Sequence, residues 1–340
     1  MKLPPNISKL VIIKNKKYTL SYTKADITID TKLNFTDIDN NAKIKIDDGS
    51  LSFIILQNNQ DRLTLKALNN GMITNRKGVN FPGIALKIPA VTEIDKKNIK
   101  HAIDMGIDWL AQSFVRSPSD IHPIKRILSK HNYHIPIIAK IEKPEAIKNL
   151  DAIIDQYDGT LIARGDLGVE MNLSSLPKLQ KQIINHCVYH KKPCIVATQM
   201  LESMISSDTP TRAEVNDVAN AIYDGVDAIM LSAETAVGDY PVEAVSMMSE
   251  ISQNIEADLD TSNFNRNIID SLAQAIDDNY LAICYAAYSI SIRLAIDVIV
   301  VLTDSGKTAI QMAQFRPNAC IVAITPFQNI CNQLSIIWGI

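Results

Sequence analysis

Between about Ile84 and Leu259 the chain repeats one rhythm, and that rhythm limits the folds open to it. Short apolar runs occur at Trp109–Phe114, Ile135–Ile141, Gly159–Ala163, Pro193–Ala197 and Ala228–Leu231. Helix-like stretches lie between them, at Asp120–Lys130, Leu176–His190 and Glu214–Tyr223. The last is announced by Thr211-Arg212-Ala213-Glu214, a capping-box pattern in which each end satisfies the other's backbone N–H. Strand, helix, strand at this spacing is the texture of a parallel sheet with crossover helices. An open doubly wound sheet and a barrel are not distinguished at this level.

The flanks read differently. Up to about Gly83 the apolar runs are short and alternating: Leu10–Ile13, Tyr18–Tyr22, Ala42–Ile46, Leu51–Leu56 and Leu63–Leu68. Asp47-Asp48-Gly49-Ser50 between two of them is a hairpin signal. Residues 1–83 are therefore expected to form a small antiparallel β domain, 84–259 a βα domain and 260–340 a further α/β layer. In that third segment the pattern predicts a helix through Ile269–Leu294, a strand at Asp297–Leu302 and a helix from Gly306 to Phe315. A strand at Ile321–Ile324 and a helical run from Phe327 follow.

Charge and cysteine usage exclude several classes. With 34 Lys plus Arg against 37 Asp plus Glu, the net charge is −3, so no basic surface for nucleic acid is indicated. The five cysteines form no CxxC pair, which argues against a disulfide framework or structural zinc and suits a reducing cytoplasm. Val298–Leu302 is apolar but far too short to span a bilayer, and the first residues show no secretory signal.

The strand ends carry the chemistry. In Ile135–Glu142, Lys140 and Glu142 are two apart and share a face, while Ile141 points away. At the carboxyl end of a parallel strand that face meets the usual ligand crevice. A cation beside a carboxylate suits an anionic substrate with a divalent metal, although a solvated ion pair alone would read the same. The next strand end supplies Asp166, between Gly165 and Gly168, where a backbone without side chains admits an anion closely. Two carboxylates on neighbouring strand ends suit Mg²⁺, which keeps few protein ligands. Ser113, Thr198, Ser232 and Glu234 put polar groups at the same end of the other strands. The i, i+4 pair His186 and His190 lacks the glutamate of a metalloprotease motif and is read as helix surface, as Lys14, Lys16 and Lys17 are read as a solvated turn.

These residues stand in motifs that resemble the pyruvate kinase family. The resemblance is carried by IPIIAKIEKPEAI (Ile135–Ile147), ARGDLG (Ala163–Gly168), ATQMLESM (Ala197–Met204), PTRAE (Pro210–Glu214) and MLSAETAVGDYP (Met230–Pro241). RKGVNFPG (Arg76–Gly83) and IDDG (Ile46–Gly49) are similar to parts of that family's small β domain. The resemblance implies a TIM-type (β/α)8 barrel with an inserted β lid and a C-terminal α/β domain. It implies phosphoryl transfer from phosphoenolpyruvate to ADP, giving pyruvate and ATP, with Mg²⁺ or Mn²⁺ and K⁺, in a homotetramer. By the same resemblance Lys140 stabilises the transferring phosphoryl group, and Glu142 and Asp166 hold the metal. Gly165, Asp166 and Thr198 contact substrate, Thr198 lies near the proton-delivery route, and Lys77 reaches the nucleotide. The loop Thr303-Asp304-Ser305-Gly306-Lys307-Thr308 resembles one that holds a sugar-phosphate effector, through Thr303, Ser305, Gly306, Lys307 and Thr308. A plain strand-to-helix turn is equally open there.

The match has gaps. A (β/α)8 barrel needs eight strands and about five are countable here, so an incomplete barrel is expected, with a truncated C-terminal α/β domain. No stretch before Lys14 matches the family's K⁺ ligands, so none is assigned. The expectation is a fragment of a longer gene product with doubtful activity of its own. A decayed copy that only binds an anion, or a short chain that pairs with a partner, stays open. A metal-dependent pyruvate lyase is a third reading, separable because a lyase does not need ADP.

Overall fold

In the computed structural model, residues 1–4, 7–30, 35–36, 38–84, 88–258 and 279–340 are described. They form two compact units, the first comprising Met1–Pro89 with Gly165–Leu176, the second Ala90–Arg164 with Pro177–Ile340.

The first unit holds β1 (Lys9–Ile12), β2 (Lys17–Ser21), β3 (Ile27–Thr28), β4 (Lys43–Ile46), β5 (Leu51–Asn59), β6 (Arg62–Ala67), β7 (Gly71–Thr74) and β8 (Val79–Asn80). Six of them make a sheet in the order β3-β2-β6-β5-β4-β8, and β1 pairs with β7. Among the described residues every strand pairing here is antiparallel except the two-residue contact of β2 with β3. The alternation read from the sequence explains the packing. Leu63, Leu65 and Ala67 of β6 face inward with Leu20, Ile44, Ile46, Phe53 and Ile55, all fully buried. The hairpin signal closes β4 onto β5 with Ile46 opposite Leu51. Asp47, Asp48 and Gly49 all take positive φ, the region that Asp and Gly tolerate best.

The second unit is built on a parallel sheet in the order β13-β12-β11-β10-β9. Its strands are β9 (Leu110–Gln112), β10 (Ile137–Ile141), β11 (Gly159–Ala163), β12 (Cys194–Ala197) and β13 (Ala228–Met230). Each new strand joins the sheet beside its predecessor, as βα repeats require. The strand β11 is buried along its whole length, which explains a continuous apolar run rather than an alternating one. The helices are α1 (Glu93–Asp104), α2 (His122–Lys130), α3 (Pro144–Lys148), α4 (Leu150–Gln156), α6 (Leu176–Tyr189), α7 (Arg212–Tyr223), α8 (Ala233–Ala236) and α9 (Pro241–Asp258), most of which pack their apolar faces on the sheet's main core. Between α4 and α6 the chain forms α5 (Arg164–Glu170), which begins directly at the end of β11. From Gly165 on, this stretch packs with the first unit: Lys45 Nζ donates to the Val169 carbonyl at 2.6 Å, and Asn80 Nδ2 to Glu170 Oε1 at 3.1 Å.

The last part of the second unit has α10 (Asn279–Leu294), β14 (Val298–Leu302), α11 (Lys307–Gln314), β15 (Cys320–Ile324) and α12 (Gln328–Leu334), with β14 parallel to β15. The expected helix start at 269–278 lies outside the described residues. This layer is fixed to the parallel sheet by buried polar contacts. Arg316 donates to the Gly225 carbonyl at 2.8 Å and lies 3.1 Å from Asp227 Oδ1, with Trp338 against its guanidinium. Trp109 Nε1 donates to the Gln333 carbonyl at 3.0 Å. Among the described residues no helix is long and apolar enough to cross a membrane.

Candidate active site

Lys140 is the penultimate residue of β10 and Glu142 the first beyond it, so the pleat brings both to one side. Lys140 Nζ lies 2.6 Å from Glu142 Oε1 and donates to Ser113 Oγ at 2.9 Å. Glu142 is fully buried, and its Oε2 accepts the Phe114 N–H at 2.9 Å. That bond requires Phe114 to sit at φ +56°, an unusual conformation for an aromatic residue. A buried carboxylate is costly unless it is paired and hydrogen-bonded, and this one is both. Ser113, Lys140 and Glu142 thus form one connected cluster at the carboxyl ends of β9 and β10.

Thr198 follows β12 immediately and takes φ +69°, with Gln199 after it at +54°. Two consecutive left-handed residues, one β-branched, are strained and persist only where their surroundings fix them. Arg164 does this. Its Nη2 donates to the carbonyls of Thr198 at 2.9 Å and Gln199 at 3.3 Å, and its Nη1 lies 2.6 Å from Asp217 Oδ2 on α7. Thr198 Oγ1 donates to the Ala197 carbonyl at 2.6 Å. Glu234 is buried and serves the loops: it accepts the N–H groups of Leu201 at 3.2 Å and Ser232 at 2.8 Å. Sequence reading missed Arg164 as a site-forming residue, although it stands in the ARGDLG motif, where a charge ending a buried strand was the available signal.

Lys140, Glu142 and Thr198 belong to the second unit, while Gly165, Asp166 and Lys77 belong to the first. Asp166 sits in the first turn of α5, where an acidic side chain complements the helix dipole. Lys77 lies 2.7 Å from Asp47 Oδ1 in the β4–β5 turn, and this partner holds its ammonium above the ordinary lysine range.

In the loop before α11, Thr303 Oγ1 accepts the Gly306 N–H at 2.9 Å, so this hydroxyl shapes the turn itself. Gly306 needs its φ of +76°, and a Cβ there would lie 3.2 Å from Leu334. Lys307 extends over the Tyr280 ring, and Ser305 is exposed. His186 and His190 both meet Asp151 Oδ1, at 2.5 and 3.2 Å. The hydrogen bond from His186, helped by His190, keeps that carboxyl below its usual range. Among the described residues no three His, Cys, Asp or Glu side chains converge as a metal-binding group.

Comparison with known proteins bears directly on this geometry. The family model for the pyruvate kinase barrel domain matches residues 5–245, and that for the pyruvate kinase alpha/beta domain matches 281–340. Pyruvate kinase 2 of a Synechocystis strain is 42% identical over 306 residues, covering 89% of this chain and 51% of its own. The pyruvate kinase of Bacillus licheniformis is 41% identical over 320 residues, covering 93% and 54%. The crystal structure of a pyruvate kinase from Cryptosporidium parvum superposes with a TM-score of 0.90 at 31% identity, over 99% of this chain and 71% of that one. The chain spans about half the length of the curated relatives it matches.

Proposed function

This chain belongs to the pyruvate kinase family, and we propose that its site serves phosphoryl transfer from phosphoenolpyruvate to ADP. The observation that carries this reading is the Ser113–Lys140–Glu142 cluster, an ammonium fixed beside a buried carboxylate at adjoining strand ends. Phosphoryl transfer needs positioning and charge neutralisation more than covalent chemistry from the protein. Lys140 meets that need: Ser113 and Glu142 hold its ammonium in place, so no reorganisation is required as charge develops on the phosphoryl oxygens.

In the reaction the bond from phosphorus to the enol oxygen breaks and an ADP phosphate oxygen takes the phosphoryl group. The enolate carbon then takes a proton to give pyruvate. Thr198 is assigned to that proton route, and Arg164 to holding the Thr198 backbone in its left-handed conformation. Gly165 and Asp166 are assigned to substrate, and Lys77 to the nucleotide. The hard oxygen donors Glu142 and Asp166 suit Mg²⁺ or Mn²⁺, which when bound would neutralise phosphate charge. No residue of the chain is assigned to K⁺. A cytoplasmic homotetramer is the form in which we expect the protein to work.

The test is pyruvate formation by the purified chain with phosphoenolpyruvate, ADP, Mg²⁺ and K⁺, beside Lys140→Met. Turnover that requires ADP and is lost in the variant supports the reading. Turnover without ADP reassigns the site to a lyase. Soluble, folded protein that binds phosphoenolpyruvate but releases no pyruvate removes catalysis and leaves a binding role.

A further inference from the structure

The charge of the chain is unevenly divided. Residues 1–83 hold 13 Lys and Arg against seven Asp and no Glu, a net of +6 in a chain whose total is −3. The strand registers of the first unit show where part of that charge is gathered. Lys17 of β2 is the direct partner of Lys66 of β6, Lys66 of Ile54 on β5, and Ile54 of Lys43 on β4. These four residues form one row across four strands. Their chain neighbours Tyr18, Leu65, Phe53 and Ile44 are buried, so the row lies on the opposite, outer face of the sheet. Lys17 and Lys43 are exposed, and Lys66 and Ile54 are half-buried. Lys17, expected in a solvated turn, instead opens β2. At about 4.8 Å between strands, the row is about 14 Å long.

Two features of the row call for a partner. Like charges directly opposite on neighbouring strands repel, yet among the described residues Lys17, Lys43 and Lys66 make no ion pair and no side-chain hydrogen bond. Two carboxylates lie along the same strands, and both are engaged. Asp26 Oδ2 accepts the Thr19 N–H and Oγ1, each at 2.8 Å, and Asp61 Oδ1 accepts the Tyr22 hydroxyl at 2.5 Å. The second feature is apolar. Ile54 stands between Lys66 and Lys43, and Leu56, at the register shift of β5, is 37% exposed. An apolar centre with a polar rim is the anatomy of a protein contact. The row and its neighbour, Thr19–Thr64–Gln57, hold no aromatic ring on which a nucleic-acid base could stack. Two aliphatic side chains flush with a sheet leave little to insert into a lipid surface.

We propose that this face docks an acidic, extended segment of a partner protein, laid across β2, β6, β5 and β4. The spacing specifies its pattern. In an extended chain every second side chain shares a face, about 6.7 Å apart, so positions i and i+4 lie about 13 Å apart. A carboxylate at i meets Lys17 and Lys66, an aliphatic side chain at i+2 meets Ile54 and Leu56, and a carboxylate at i+4 meets Lys43. The surface lies wholly in the first unit, and the proposal does not rest on the phosphoryl-transfer reading.

The test is fluorescence polarisation of a labelled peptide repeating Glu-Ser-Leu-Ser, titrated with the purified chain. Saturable binding is expected, weakened by added salt and about tenfold or more in Lys17→Gln/Lys66→Gln. Ile54→Thr is expected to weaken it about threefold, through the lost apolar contact. The double lysine variant is expected to melt no lower than the native chain, because it removes a like-charge pair, so lost binding is not lost folding. Absence of saturable binding overturns the proposal, as does affinity unchanged in the double lysine variant. Tighter binding to an oligothymidylate or to phosphatidylserine vesicles than to the peptide overturns the assignment to a polypeptide.

Discussion

The Arg164 guanidinium donates to the Thr198 carbonyl at 2.9 Å, joining the end of β11 to a β-branched residue held at φ +69°. Such a conformation costs about 1–3 kcal/mol and needs a partner that outweighs it. Arg164→Lys keeps the charge but loses the planar fork that spans Thr198, Gln199 and Asp217. We expect kcat to fall about 10–100-fold with a smaller change in KM for phosphoenolpyruvate, because a misplaced group costs rate more than binding. Steady-state kinetics check this; full kcat in the variant would mean that the Thr198 backbone is held by other contacts.

Lys140→Met removes the cation beside a fully buried carboxylate. Stranding one member of a buried pair costs about 3–5 kcal/mol, with the lower end expected here because the lysine is partly exposed. Adding Glu142→Gln should recover much of that stability without recovering activity. Urea unfolding of the single and double variants provides the comparison, and a double variant no more stable than Lys140→Met would refute the pairing.

Glu214 gives the chain an acid-sensitive brace. Its carboxylate accepts Ser203 Oγ and N–H and Thr211 N–H and Oγ1, at 2.5 to 2.8 Å. Burial pushes its pKa up, but the hydrogen bonds from Ser203 and Thr211 outweigh this and leave it below the ordinary value. A depressed carboxyl pKa stabilises the fold above the unfolded value of about 4.3, and that stability is lost as pH falls through the folded value. Glu214→Gln should thus cost about 1–2 kcal/mol at pH 7, and the gap from the native chain should narrow below about pH 4. Chemical unfolding at both pH values measures it.

Gly238 has no room for a methyl group. A Cβ there would lie 2.3 Å from the Glu234 carbonyl oxygen, a backbone atom, and 3.3 Å from Ile205 Cα. Gly238→Ala should therefore destabilise by about 1–3 kcal/mol and disturb the Glu234 contacts to Leu201 and Ser232. A thermal midpoint equal to that of the native chain would contradict this.

The sheet of the second unit was legible because its central strands β10, β11 and β12 are buried on both faces and so read as nearly unbroken apolar runs. The same alternation rule placed Lys140 beside Glu142. Other features left no local trace. The strands β3 and β8 are two residues each, too short for any period to register. The start of α5 was hidden because Gly165 and Gly168 suggest a turn. In the fold Gly168 instead allows close packing, since a Cβ there would lie 3.1 Å from both Leu173 and Leu176. The left-handed backbones of Phe114 and Thr198 arise from partners distant in sequence, Glu142 and Arg164, which no window of neighbouring residues contains.

The seam that fixes the last layer to the parallel sheet has a spectroscopic consequence. Trp109 and Trp338 are the chain's only tryptophans, and both lie in the second unit, one bonded to Gln333 and the other stacked on Arg316. Indole emission is therefore blind to the β-rich first unit and reports the second alone. Recorded beside far-ultraviolet circular dichroism during denaturation, it separates the melting of one unit from that of the whole chain without any label being introduced.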